Sequence, residues 1–310
     1  MKQATNTILM VRPVSFRMNE QTAVNNYFQG NLDMMNQDIN IKAQNEFDTF
    51  VNILREKGVN VVVVKDTLDP DTPDSIFPNN WVSFHENGNV GIYPMFAENR
   101  RNERREDILE TLEEKGFLIE NIVDYTSAED EQLFLEGTGS IILDREYHKA
   151  YCALSARADE ELFIEFCEDF EYTPVVFTAN QSVSGKRLPI YHTNVMMCVA
   201  DTFAVICLDT IDDKKEKKNV VDHLKQDGKE IIAITETQMH QFAGNMLQVQ
   251  GMGDQAYLVM SSTAYNSLKP EQIKAIEKHC PIIHSSLETI ETCGGGSARC
   301  MMAEVFLPKK

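Results

Sequence analysis

A chain of 310 residues, 43% of them hydrophobic and 25% charged, can bury a large core and has the balance of an ordinary globular protein. Its net charge of −19 argues against nucleic acid, whose phosphates it would repel. No apolar run approaches the ~18 residues of a membrane span, and the opening Met-Lys-Gln-Ala-Thr-Asn lacks the core of a signal peptide, so a cytoplasmic protein without membrane partners is expected.

Along the chain, Thr7 to Val11 reads as a first strand. Phe47, Phe50, Val51 and Leu54 then have helical spacing, Lys57-Gly58 stops the helix, and Val61 to Val64 runs as a strand. The scheme recurs: Ile108, Leu109 and Leu112 precede Lys115-Gly116 and a strand expected over Phe117 to Val123. Leu162, Phe163 and Phe166 precede Pro174-Val-Val-Phe. Val220, Val221 and Leu224 precede Asp227-Gly228 and Ile231-Ile-Ala-Ile, while Ile273 and Ile276 precede Pro281-Ile-Ile. Lys214 to Lys218 reads as a solvated helix start. The cysteines, odd in number and largely inside apolar runs (Cys152, Cys198, Cys207), read as reduced core residues, and no zinc-ligand spacing is present. No metal and no cofactor is expected.

Each helix–strand unit is followed by a polar or glycine-bearing turn and two apolar strands, so the chain repeats. The turns are Phe77-Pro-Asn-Asn80, Leu135-Glu136-Gly-Thr-Gly, Tyr191-His192-Thr-Asn194, Phe242-Ala-Gly-Asn245 and Gly294-Gly-Gly-Ser-Ala-Arg-Cys300. One residue from each, Asn80, Glu136, His192, Asn245 and Cys300, gives separations of 56, 56, 53 and 55. Equivalent positions of a repeat meet around one pseudo-symmetry axis, which would bring Cys300, His192 and Glu136 together in space. The three glycines ahead of Cys300 weaken any helix or strand, and a close backbone approach at the mouth of a site would account for them. Asn245, with no partner chemistry of its own, reads as a structural turn residue.

These turns together resemble the guanidino-group-modifying superfamily, the penteins, over essentially the whole chain. Phe77-Pro-Asn-Asn-Trp, Leu135-Glu-Gly-Thr-Gly, Tyr191-His-Thr-Asn and Gly-Gly-Gly-Ser-Ala-Arg-Cys300-Met look most like its citrulline-utilisation hydrolase branch. The resemblance implies an α/β fold, a five-bladed propeller of ββαβ-type repeats forming one catalytic domain over residues 1–310. It implies Cys300 as nucleophile and His192 as general acid/base. Glu136 would hold the substrate nitrogens or orient His192. Arg100, in Arg100-Arg101-Asn-Glu103 after Tyr93-Pro94-Met95, and Arg157, in Ser155-Ala-Arg157, would grip a substrate carboxylate, a task suited to the planar guanidinium.

Two positions depart from arginine deiminases, which carry Asp where this chain has Asn80 and Asn194. Aspartate only accepts hydrogen bonds, as a guanidinium requires, whereas Asn offers one acceptor and one donor, as a urea requires. The expected reaction is therefore cofactor-free, cysteine-dependent hydrolysis of a ureido or guanidino amino acid, citrulline going to ornithine, CO₂ and ammonia. Arginine deiminase or dihydrolase, amidinotransferase and a non-catalytic binding pentein are the alternatives, and the Cys–His pair speaks against the last. The partner expected is a small amino acid. Assembly into a homo-oligomer is left open.

Overall fold

The structure, a computed structural model, describes residues 2–310. Its first helix, Asn36–Glu56, turns one stripe inward (Ile39, Ala43, Phe47, Phe50, Val51, Leu54) and ends at Gly58, whose φ of +85° reverses the chain. The strand that follows, Asn60–Lys65, lies parallel to Thr7–Arg12, with Ile8 opposite Val61 and Val11 opposite Val64. Four later helices behave alike: Glu106–Glu114, Glu160–Asp169, Lys214–Gln226 and Pro270–Glu277 each lead into a strand parallel to one already laid down. Asp159 and Asp213 cap two of them by accepting backbone N–H groups of their first turns.

Five three-stranded sheets result among the described residues, all with one pairing rule: the middle strand is antiparallel to one neighbour and parallel to the other. The fifth sheet joins the two ends of the chain, because Ala303–Glu304 pairs with Thr7–Arg12, Leu9 opposite Ala303. The architecture is thus mixed α/β. The middle strand Phe203–Ile206 is buried throughout, as expected where helices and sheets cover both faces.

One strand is displaced from its sequence-based bounds. It covers Asn121–Asp124 rather than Phe117 to Val123, because Phe117 instead makes an isolated bridge with Lys309 and buries its ring. The hairpin Asn180–Val183 with Lys186–Pro189 was not anticipated either. No helix among the described residues is long and apolar enough to cross a membrane.

The turns that open each sheet touch one another in succession. Thr138 Oγ1 donates to the Asn79 carbonyl (3.3 Å), Thr193 Oγ1 to the Ser140 carbonyl (2.6 Å) and Asn245 Nδ2 to the Asn194 carbonyl (3.1 Å). The Arg299 N–H then donates to Asn245 Oδ1 (2.9 Å). The last contact returns to the first turn and explains the glycine run. A Cβ at Gly294 or Gly296 would lie 2.6 or 2.9 Å from the Phe77 ring, so only glycine lets the two turns meet.

Candidate active site

Asn80, Arg100, Arg157, His192 and Cys300 line one cavity of about 250 Å³, closed over by Thr22 and Asn26 of the segment between the first strand and first helix. The register residues, dispersed over more than two hundred positions, therefore do converge.

Glu136 is fully buried. Its Oε2 takes a 2.7 Å bond from His192 Nε2 and lies 3.5 Å from Arg157 Nη1, while Oε1 accepts the Phe96 N–H at 3.0 Å. Burial raises this carboxyl, but Arg157, the His192 bond and Arg100 outweigh it and hold it at about 2. Burial pulls His192 down to about 4, against the raising effect of Glu136 and helped by Arg157 and Arg100. The resting site thus holds an ionised Glu136 and a neutral imidazole. Gly139 permits this arrangement, since a Cβ there would lie 2.9 Å from the His192 ring and 2.5 Å from Asn80 Nδ2.

Both shifts make the fold acid-sensitive. Between the ordinary imidazole value of 6.5 and about 4, the unfolded chain binds a proton that folded His192 does not, so stability falls as pH falls. Glu136 adds a second loss between 4.5 and about 2, where its ionised state ceases to favour the fold. Thermal unfolding across this range is expected to show the melting temperature dropping from about pH 6.5 downwards, and His192→Asn should remove the upper part of the drop. A melting temperature flat from neutral pH to 4.5 would contradict the assignment.

Cys300 Sγ accepts hydrogen bonds from two side-chain amides, Asn194 Nδ2 at 3.4 Å and Asn245 Nδ2 at 3.3 Å. Burial raises the other six thiols, Cys152, Cys167, Cys198, Cys207, Cys280 and Cys293, which leaves them inert. All seven are free.

Arg100 reaches the cavity with most of its donors already engaged. Nε and Nη2 each meet a Glu103 oxygen at 2.9 Å, Nη2 also donates to the Phe77 carbonyl, and Nη1 donates to Asn80 Oδ1 at 2.7 Å. One Nη1 hydrogen remains for a ligand. Arg157 Nε donates to Asn25 Oδ1 (3.0 Å) and Nη2 to the Thr22 carbonyl (2.9 Å), and its guanidinium lies 5.0 Å from the Tyr191 ring centre. Because Arg100 can only donate, it fixes the Asn80 amide: the carbonyl end faces Arg100, and Nδ2 faces Asn79 Oδ1 and the site.

Two site residues escaped the sequence reading. Asp74 is buried on the cavity wall with Oδ2 bonded to Asn19 and Thr22 and Oδ1 without a partner among the described residues. Its only signal was its place three residues ahead of Phe77. Asn245, read as a turn residue, touches the sulfur, and its place in the repeat register was the available signal. Asn194 Oδ1 is likewise buried without a partner among the described residues.

The sequence profile of the family described as N,N dimethylarginine dimethylhydrolase, eukaryotic, matches residues 12–307. No curated protein matches the sequence. Among solved structures, apo ArgZ, an arginine dihydrolase from the ornithine-ammonia cycle in cyanobacteria, superposes with a TM-score of 0.74 at 17% identity, covering 98% of this chain and 41% of ArgZ. The present chain thus spans less than half of that protein's length. The product-bound N-terminal domain of ArgZ gives 0.71 at 18% identity, with 97% and 99% of the two chains covered. A dimethylarginine dimethylaminohydrolase variant in adduct with S-methyl-L-thiocitrulline gives 0.65 at 15% identity, with 96% and 98% covered. At such identities the structural likeness speaks for the fold. The profile match runs through nearly the whole chain, and the protein belongs to the dimethylarginine dimethylhydrolase family of cysteine-dependent C–N hydrolases, within the guanidino-group-modifying pentein superfamily.

Proposed function

We propose that residues 1–310 form one catalytic domain, a five-bladed α/β propeller, that hydrolyses citrulline to ornithine, CO₂ and ammonia. The succession of turn contacts and the shared sheet of the chain ends support the propeller. The seven free cysteines favour a reducing, cytoplasmic setting.

The observation that carries the substrate reading is the fixed polarity of the two asparagines. Arg100 turns Asn80 so that its NH₂ can donate into the site, and Asn194 leaves an unpartnered acceptor there. A urea group, with a carbonyl on one side and an NH₂ on the other, complements one donor and one acceptor. The free Asp74 oxygen suits an α-ammonium, and Arg157, with the last Arg100 hydrogen, suits the carboxylate.

In this reading Cys300 thiolate attacks the ureido carbon, and the C–O π electrons move to oxygen. As the tetrahedral adduct collapses, the bond to the δ-nitrogen breaks and that nitrogen takes a proton relayed through His192, releasing ornithine. The S-carbamoyl enzyme remains. Neutral His192 then takes a proton from water, whose oxygen attacks the carbamoyl carbon and expels the thiolate. The released carbamate breaks down to CO₂ and ammonia.

A second reading, arginine dihydrolase, is favoured by the likeness to ArgZ. It uses the same residues with loss of ammonia first, and passes through the same ureido group. Citrulline, arginine, agmatine and dimethylarginine assayed side by side should separate the readings: ornithine from citrulline is expected. In Asn80→Asp the carboxylate would keep the Arg100 contact but set an acceptor against the urea oxygen. Citrulline hydrolysis should fall by about one to two decades, the cost of an unsatisfied buried polar group. Wild-type protein that turns arginine or dimethylarginine into citrulline and stops there would overturn the ureido reading.

A further inference from the structure

We infer that Asn245 is a positioning residue for the nucleophile: its side-chain amide, with that of Asn194, holds Cys300 as the thiolate. The inference rests on Cys300 being the nucleophile of the proposed reaction, but not on which substrate is attacked.

Asn245 is fully buried in the turn before strand Leu247–Gln250, and both ends of its amide are in use. Oδ1 accepts the Arg299 N–H at 2.9 Å, and Nδ2 donates to the Asn194 carbonyl at 3.1 Å and to Cys300 Sγ at 3.3 Å. These partners fix its orientation. Turned over, the amide would set an oxygen against a carbonyl and a sulfur, and an NH₂ against the Arg299 N–H. The NH₂ must therefore face the sulfur, and the 3.4 Å contact from Asn194 adds a second donor.

No cation takes that place. His192 directs Nε2 to Glu136, and the Tyr191 hydroxyl donates to the Gly295 carbonyl. Arg299, next in the chain, turns its guanidinium to Glu304 and the Met302 carbonyl. Arg100 and Arg157 line the cavity but are held by Glu103, Asn80, Asn25 and Thr22, while Asp74 and Glu136 bring negative charge. A hydrogen bond is stronger to an ionised acceptor than to a neutral one, so two amide donors on sulfur favour the thiolate. A neutral ureido substrate brings no charge to assist ionisation, which makes this neutral cradle the relevant device.

The test is the pH dependence of Cys300 alkylation by iodoacetamide on the intact protein, with Cys300→Ala as the blank. Asn245→Asp retains an oxygen for the Arg299 N–H but replaces the donor on sulfur by a carboxylate oxygen. The pH of half-maximal alkylation should rise by about one to two units. The acid limb of kcat/KM should move with it, so that activity lost at neutral pH recovers in alkaline buffer. A merely structural defect would lower activity at every pH without moving the limb. Asn245→Ser, which keeps a small hydroxyl near the turn, should shift alkylation in the same direction by less. A folded Asn245→Asp whose alkylation profile superimposes on the wild type overturns the inference, and so does loss of the fold in both variants. Because alkylation needs no substrate, a shifted profile in a protein that leaves citrulline untouched would sink the substrate reading while this inference stands.

Discussion

Cys300→Ala is expected to lower turnover of every substrate by at least about a thousandfold while the protein stays folded. No other thiol can substitute, because the remaining six are buried in apolar surroundings that keep them protonated. The fold should tolerate the change. The side chain is small, it follows a turn held by the Cys300 N–H to Ser297 carbonyl bond, and the sulfur accepts only two weak amide bonds. The matching observation on the wild type is one fast-reacting cysteine under iodoacetamide, protected by substrate. A variant that keeps more than a few per cent of activity, or a wild type labelled first at Cys293, would show that the nucleophile lies elsewhere.

His192→Asn is expected to cost roughly 10²–10⁴-fold in kcat, the range typical of a lost general acid/base. The effect on KM should be smaller, since His192 moves protons and does not anchor the amino-acid head. The pH profile carries the sharper signature. Burial keeps His192 neutral down to about 4, so the wild-type acid limb should show no imidazole midpoint at 6.5. Glu136→Gln would remove the charge that opposes burial, and its largest effect should be on His192 orientation through the lost 2.7 Å bond. If His192→Asn kept wild-type kcat, Glu136 with a bound water would have to be the proton carrier.

Much of this protein was legible in the linear order of its residues. The helix–strand units are marked by apolar residues at helical spacing closed by Gly58, Gly116 and Gly228, because burial of one helix face is a local property written every three or four residues. The repeat register placed Glu136, His192 and Cys300 in one site, since equivalent turns of a repeated unit come to equivalent places. Other features were settled only by tertiary closure. The Phe117 segment leaves its expected strand because its partner, Lys309, lies near the far end of the chain. Arg100-Arg101-Asn-Glu103 announces an ion pair three residues apart, but that its guanidinium turns onto Asn80 depends on a turn twenty residues earlier. Asp74 and Asn245 acquire their chemistry in the same way: an unpartnered oxygen or an oriented amide is defined by what surrounds it. Side-chain identity and spacing prescribe which face is buried; hydrogen-bond polarity within the buried site is directional, and it was decided only when residues from five distant turns met.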